Sequence, residues 1–218
     1  MESAMTKGRL ERRLAVITAT DIVGSSRLME ADERRTLDAI KRLQASIFSP
    51  NIDTRGGRIV KLMADGGLVA FNSAVNAVEC AISLQEELAR DQEELPSGER
   101  IVLRIGINLA DVVIEGDHLL GDGVYVAARL EASAEPGGIC IADVVHRQLG
   151  GKCRTALLDA GEISLKNIVR PVHVWHSRYA PDSRAVDVFG IGADIDCGVA
   201  VRESLQLAGP DFFQRRHH

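Results

Sequence analysis

Asp21 and Asp65 are the residues whose type and setting point most directly to chemistry. Asp21 ends the apolar run Leu14-Ala15-Val16-Ile17-Thr18-Ala19-Thr20 and leads into Ile22-Val23-Gly24-Ser25-Ser26. Asp65 lies between Gly57-Arg58-Ile59-Val60-Lys61-Leu62-Met63 and Gly67-Leu68-Val69-Ala70-Phe71, at the tip of a predicted hairpin. Packing gives no reason for a carboxylate at either place, because an unpaired buried charge is costly. Two carboxylates that converge at strand ends are what a divalent cation site requires. The turn after Asp21 opens a helix, so the free N–H groups and dipole at Gly24, Ser25 and Ser26 would receive phosphate oxygens.

The chain that must position these residues has 218 residues, enough for one large domain or a medium domain with a tail. Its hydrophobic content of 45% and charged content of 26% are those of a soluble globular protein. A net charge of −5 supplies no basic field, which excludes broad attraction to nucleic acid or an anionic membrane. A polyphosphate would have to be held locally, by a metal and a few placed cations. The cysteines Cys80, Cys140, Cys153 and Cys197 form no CxxC pair, so a zinc site is not expected. Cys80 and Cys140 lie in apolar stretches and read as buried thiols of a reducing compartment. No stretch approaches the roughly 18 apolar residues of a membrane span. The N-terminus, with Lys7, Arg9 and Glu11, lacks a signal-peptide core. A cytoplasmic protein is expected.

Leu28, Leu37, Ile40, Leu43 and Ile47 recur at helical spacing and predict a helix from Ser26 to Phe48, ended by Pro50 and Gly56-Gly57. A hairpin follows, turning at Ala64-Asp65-Gly66-Gly67. Ser73 is placed to cap a second helix whose core face reads Ala74, Ala77, Val78, Ala81, Ile82, Leu84 and Leu88. Pro96-Ser97-Gly98 breaks that helix, and residues 101–107 alternate as a fourth strand. A further hairpin at 112–115, a helix over 123–134, a strand over 138–142, a short helix to Leu149 and a last strand over 171–179 complete the pattern. Residues 1–12 read as a flexible N-terminus, 13–179 as one domain and 180–218 as a weakly structured or peripheral tail. The terminal Arg215-Arg216-His217-His218 has nothing to preorganise it as a metal site.

The order β-α-β-β-α-β is the split, ferredoxin-like pattern. The expected fold class is therefore α+β, a ferredoxin-like core with an added C-terminal αβ subdomain. That topology lays the first strand antiparallel to the third, so the end of one meets the start of the other. Asp21 and Asp65 converge on one sheet edge. Paired carboxylates on such a sheet resemble the palm architecture of two-metal phosphoryl-transfer enzymes, in which metal ions hold phosphates and acidify an attacking hydroxyl.

Linked motifs carry a closer resemblance. They are Ala19-Thr20-Asp21-Ile22-Val23-Gly24-Ser25-Ser26-Arg27-Leu28-Met29, Gly56-Gly57-Arg58-Ile59-Val60-Lys61, Asp65-Gly66, Arg104-Ile105-Gly106-Ile107-Asn108 and Gly121-Asp122-Gly123-Val124-Tyr125-Val126-Ala127-Ala128-Arg129-Leu130-Glu131. Glu135-Pro136-Gly137-Gly138-Ile139 and Leu165-Lys166-Asn167-Ile168 add to them. In order and spacing over residues 12–179, the chain resembles class III adenylate/guanylate cyclase catalytic domains. The resemblance implies conversion of a nucleoside triphosphate to a 3′,5′-cyclic nucleotide and pyrophosphate, with ATP the leading substrate. It implies two ions of Mg²⁺ or Mn²⁺ per site, and a homodimer in which one protomer supplies the metal aspartates and its partner the base-reading and transition-state residues. Asp21, Asp65 and the Ile22 carbonyl match the metal ligands. Lys61 matches the lysine that reads the purine, Arg129 the arginine that stabilises the phosphoryl oxygens, and Lys166 a lysine near the terminal phosphates.

Two residues depart from the family pattern. Tyr125 stands where an asparagine usually orients the ribose, and a phenol cannot offer an amide's paired donor and acceptor. His118 stands where an aspartate or threonine usually helps to read adenine, which leaves base preference open. A slow cyclase is expected, the alternatives being a cyclase-like nucleotide-binding or regulatory module without turnover, and a cyclase preferring another base. Plainer roles exist for the same residues: Asp21 as a helix cap, Lys61 as a solvated edge charge, Arg129 paired with Glu131 or Asp122 at the surface, Tyr125 packed at a dimer interface, and His118 facing solvent. Asp111, Glu115 and Asp117 read as a solvated hairpin face, and the stretch 30–35 as a charged helix surface or turn.

Overall fold

The computed structural model describes residues 11–115 and 118–178. Residues 1–10, Asp117, Tyr179 and the expected 180–218 tail, with Cys197 and the Arg215–His218 ending, lie outside the described residues. The chain runs β1 (Glu11–Ile22), α1 (Ser25–Leu43), a π-helical turn (Gln44–Phe48) and α2 (Ser49–Thr54), then the hairpin β2 (Arg58–Leu62) and β3 (Gly66–Phe71). It continues through α3 (Ala74–Asp91), β4 (Leu103–Glu115), β5 (His118–Leu120), α4 (Asp122–Ser133), β6 (Gly138–Ala142), α5 (Asp143–Leu149), β7 (Leu158–Ile163) and β8 (Val172–Arg178).

The strands form one sheet in the order β2-β3-β1-β4-β6-β8-β7, with β5 paired to β4. Its first four members are the ferredoxin-like core, and β1 lies antiparallel to both β3 and β4. β6 adds parallel to β4, and β8 and β7 follow antiparallel, which is the added C-terminal αβ element. Side chains alternate across a strand, so the two faces of β4 do different work. Leu103, Ile105 and Ile107 are fully buried in the main core, with Ala77, Val78, Ala81, Leu84 and Leu88 of α3. On the other face, α4 lies directly on β4. A Cβ at Gly106 would stand 2.1 Å from the Glu131 nitrogen and 2.2 Å from the Ala127 oxygen. Asn108, two residues on, donates its side-chain amide to the Gly123 carbonyl at 3.1 Å and ties down the start of α4.

Several expectations are corrected. The first helix is not continuous: Asp32 is non-helical at φ −161°, ψ 93°, and its carboxylate accepts from the Arg35 amide at 2.9 Å. That is the geometry of an N-cap, so a second helical segment starts there. The stretch 30–35, read as a helix surface or turn, is that break. Pro50 does not end the helical run, because it falls in the first turn of α2, where its missing N–H is not needed. Helix continues to Thr54. The β2–β3 turn is Met63 to Asp65, with Gly66 and Gly67 already in β3. Helix α3 ends at Asp91, ahead of Pro96. The further hairpin expected at 112–115 is present, but its first arm is the end of a thirteen-residue β4 and its second is β5, paired antiparallel to it. Strand β7 has no counterpart in the sequence reading. It is an edge strand with little burial and a register shift between Asp159 and Gly161, so it carries no apolar alternation.

The contact at Gly106 yields a stability prediction. Gly106→Ala is expected to destabilise the domain by about 1–3 kcal/mol, since the clash is with helix backbone rather than a movable side chain. Urea unfolding measures it, with Gly98→Ala as control, because a Cβ there meets nothing within 4 Å.

Candidate active site

The two aspartates meet through backbone pairing. Asp21 is opposite Gly66 on β3 and opposite Arg104 on β4. Asp65 immediately precedes Gly66, and its carbonyl accepts from the Ile22 N–H at 2.6 Å. This approach depends on a missing side chain: a Cβ at Gly66 would lie 2.0 Å from the Thr20 carbonyl oxygen. Both carboxylates are half-buried. Burial, reinforced by the charge of Asp65, raises the Asp21 carboxyl to about 6, while the Arg104 guanidinium across the strand pair opposes the shift. Two partly desolvated carboxylates that repel each other are the situation a bound cation relieves.

Helix α1 starts next to this pair. Gly24 takes its N-cap position in the left-handed region at φ 65° and provides no side-chain cap. The amides at Ser25 and Ser26 therefore open the helix beside Asp21. A donor set of Asp21, Asp65 and the Ile22 carbonyl would be all oxygen, suited to a hard divalent cation rather than to a soft metal. Among the described residues no three His, Cys, Asp or Glu side chains form a preformed metal cage. Two carboxylates with solvent and substrate phosphates are an ordinary Mg²⁺ arrangement, so the residues present fit the ion.

The remaining candidates stand on separate elements. Lys61 is on β2, opposite Leu68 and next to the register shift at Val60. Tyr125 and Arg129 lie one turn apart on α4, with Tyr125 39% exposed and Arg129 half-buried. His118 opens β5 opposite Glu115, and its side chain lies outside the described ones. Lys166 is exposed on the turn joining β7 to β8. The chain thus brings together Asp21, Ile22, Asp65 and the Gly24–Ser26 helix start, with the other residues spread over four elements.

A model of the adenylate and guanylate cyclase catalytic domain matches residues 13–176. The chain belongs to that family. It is 45% identical over 190 residues to a Rhizobium meliloti protein named "Putative adenylate cyclase 3", covering 87% of this chain and 32% of that one. An adenylate cyclase of Streptomyces coelicolor is 33% identical over 132 residues, 61% of this chain and 33% of its own length. The chain therefore spans about a third of the length of these curated relatives. A crystal structure of an adenylate/guanylate cyclase/hydrolase from Silicibacter pomeroyi superposes with a TM-score of 0.73 at 43% identity, covering 79% of this chain and 99% of that one. The guanylyl cyclase Cya2, at 23% identity and a TM-score of 0.68, shares the fold. Cyclase domains of this class use divalent metal, in keeping with the oxygen donors found here.

Two further charged residues of this cyclase domain, Arg104 and Glu131, couple electrostatically to Asp21. Glu131, expected as a surface partner for Arg129, is 4% exposed, on the stretch of α4 that rests on Gly106. Its Oε1 and the Arg104 Nε are both buried without a hydrogen-bond partner. Burial raises the Glu131 carboxyl to about 8, helped by the charges of Asp21 and Asp65 and opposed by Arg104 and Arg129. The available signal was register: Glu131 follows Ala127 by four residues, and both Ala127 and Leu130 are core positions.

A carboxyl raised from 4.5 to about 8 makes the folded state bind a proton the unfolded chain has released. Its contribution is neutral below about pH 4.5 and increasingly destabilising up to about pH 8. Glu131→Gln removes that titration. The variant is expected to match wild type in Tm near pH 4.5 and to exceed it by several degrees at pH 8, with the slope at most about 1.4 kcal/mol per pH unit. Metal-free thermal scans across that range test this.

Proposed function

We propose that this chain is a nucleotidyl cyclase that converts a nucleoside triphosphate, with ATP the leading substrate, to its 3′,5′-cyclic monophosphate and pyrophosphate at a homodimer interface. One observation carries the reading: in a chain of the cyclase family, Asp21 and Asp65 converge by strand register beside the free N-terminus of α1. Relatives named as adenylate cyclases support ATP over other bases. The proposed site would hold two Mg²⁺ or Mn²⁺ ions through Asp21, Asp65 and the Ile22 carbonyl. When bound, those ions neutralise phosphate charge and acidify the ribose 3′-hydroxyl.

The chain's own residues then have distinct tasks. The amides at Gly24, Ser25 and Ser26 receive triphosphate oxygens, and Lys166 meets the terminal phosphates. Lys61 and His118 contact the base, and Tyr125 lies against the ribose. The 3′-oxygen attacks the α-phosphorus, its proton passes to solvent, and the bond to the bridging oxygen breaks as pyrophosphate departs with the electron pair. Arg129 from the partner protomer donates to the α-phosphoryl oxygens as charge builds there. With Tyr125 in place of an amide, the ribose is held less firmly, and misplacing a nucleophile lowers kcat.

Tyr125 and His118, standing where the family pattern has ribose- and base-reading residues, favour a second reading, a nucleotide-binding or regulatory module without turnover. A panel of the four common nucleoside triphosphates with Mn²⁺, assayed for cyclic product by mass spectrometry, separates the two. Slow cyclic product, lost at least about 100-fold in Asp21→Asn, Asp65→Asn and Arg129→Ala, is expected. Metal-dependent triphosphate binding without product would establish the module instead, and product from GTP or a pyrimidine nucleotide would move the base preference. Tyr125→Asn is expected to raise kcat in an enzyme and to leave a module inactive. Because Asp21 titrates at about 6, Mn²⁺ affinity is expected to fall as pH drops through that value, measured by titration calorimetry.

A further inference from the structure

Asp65 stands on a turn, and turns are the mobile parts of a sheet. Its β2 side is weakly held, because β2 is an edge strand with β3 as its one neighbour in the sheet. The β2–β3 ladder is itself interrupted by the register shift between Ile59 and Lys61. Within the turn, the Met63 N–H donates to the Gly66 carbonyl at 2.8 Å. A further attachment comes from far away in sequence. The Gln44 side-chain amide donates to the Met63 carbonyl at 3.2 Å.

Gln44 reaches that carbonyl through two irregularities of the helical run. The break at Asp32 starts a second segment, which Ile40 and Leu43 bury in the main core. Arg42 ties this segment to the end of α3 through paired bonds to Asp91 at 2.9 and 2.7 Å. The π turn then starts at Gln44 itself. Such turns insert one residue into the helical register and are frequent at functional sites. Gln44 is the one polar side chain lining a cavity of about 10 Å³ formed with Ile22, Leu43, Phe48, Leu62 and Met63, on the core side of the metal pair. Gln44 is half-buried there, so an amide left without its acceptor loses part of its solvation, and the bond to Met63 favours this position of the turn.

We propose that Gln44 is a positioning residue for the metal pair: its amide grips the Met63 carbonyl, and so holds the turn that keeps Asp65 in register with Asp21. This rests on the metal role given to Asp21 and Asp65, and the test separates the two. Gln44→Met keeps side-chain length and apolar packing but removes the donor. In the full chain without metal, its hydrogen exchange is expected to quicken about tenfold at the Ile22 and Met63 amides, the equivalent of one net hydrogen bond. Exchange at Val69 and Ala81 should stay unchanged. Mn²⁺ affinity, read by electron paramagnetic resonance, should fall about tenfold, with kcat recovered at saturating Mn²⁺. Unchanged exchange at the turn, exchange quickened throughout the domain, or wild-type Mn²⁺ affinity with a loosened turn would each overturn the proposal. A wild-type chain that binds no Mn²⁺, with the loosened turn still seen in Gln44→Met, would sink the metal role alone. If Gln44→Met does not fold, Gln44→Asn keeps the amide but shortens its reach. It is expected to give the same local loosening, and wild-type exchange and affinity in it would overturn the proposal.

Discussion

Antiparallel pairing between the end of β1 and the start of β3 is the constraint from which the site follows. It places Asp21 opposite Gly66, and the 2.6 Å bond from the Ile22 N–H to the Asp65 carbonyl closes the ladder at that point. Backbone bonds thus set the spacing of two groups that would otherwise repel. The lack of a side chain at Gly66 is part of the same constraint, because any Cβ would strike the Thr20 carbonyl. Everything else at this end of the sheet adapts to a pair of carboxylates held closer than their charges favour.

The surroundings show how that adaptation is shared between the two faces. On the α4 face, Arg104 lies across from Asp21 and moderates its raised pKa, while Glu131 adds a fully buried carboxyl to the two half-buried ones. That concentration of charge lies beneath a helix brought close by Gly106. On the opposite face the packing is apolar, with Ile22, Leu103 and Phe48 in the main core. Buried glutamines mark the joints there. Gln85 donates to the Leu103 and Gly138 carbonyls where β4 and β6 begin, and Gln92 bridges the end of α3 to Ile101. Each satisfies backbone groups that would otherwise be buried unpaired.

The core was legible where burial is one-sided and local signals agree. Ser73 caps α3 as read, accepting from the Asn76 amide at 3.3 Å, and the apolar stripe below it is the core face of that helix. Strand β6, buried at every position, has the predicted bounds. Legibility failed where a long-range contact outweighed local propensity. Pro50 reads as a helix end because a π turn, which shifts it into a first-turn position, leaves no mark in composition. Edge strand β7 is held by pairing with β8 rather than by an apolar face, so periodicity had nothing to register.

The sequence by itself determined the element order of the core, the strand-end setting of Asp21 and Asp65, and the family to which the chain belongs. These depend on periodicity and on motifs, which are written locally. Tertiary structure alone decided which neighbours those carboxylates have. It put Arg104 across from Asp21 and broke α1 at Asp32. It also buried Glu131 where α4 rests on the sheet and brought the Gln44 amide to the turn that carries Asp65. Desolvation and charge coupling act through space, over distances that spacing along the chain does not encode. A carboxyl of ordinary appearance in the sequence thus becomes one raised to about 8 in the fold.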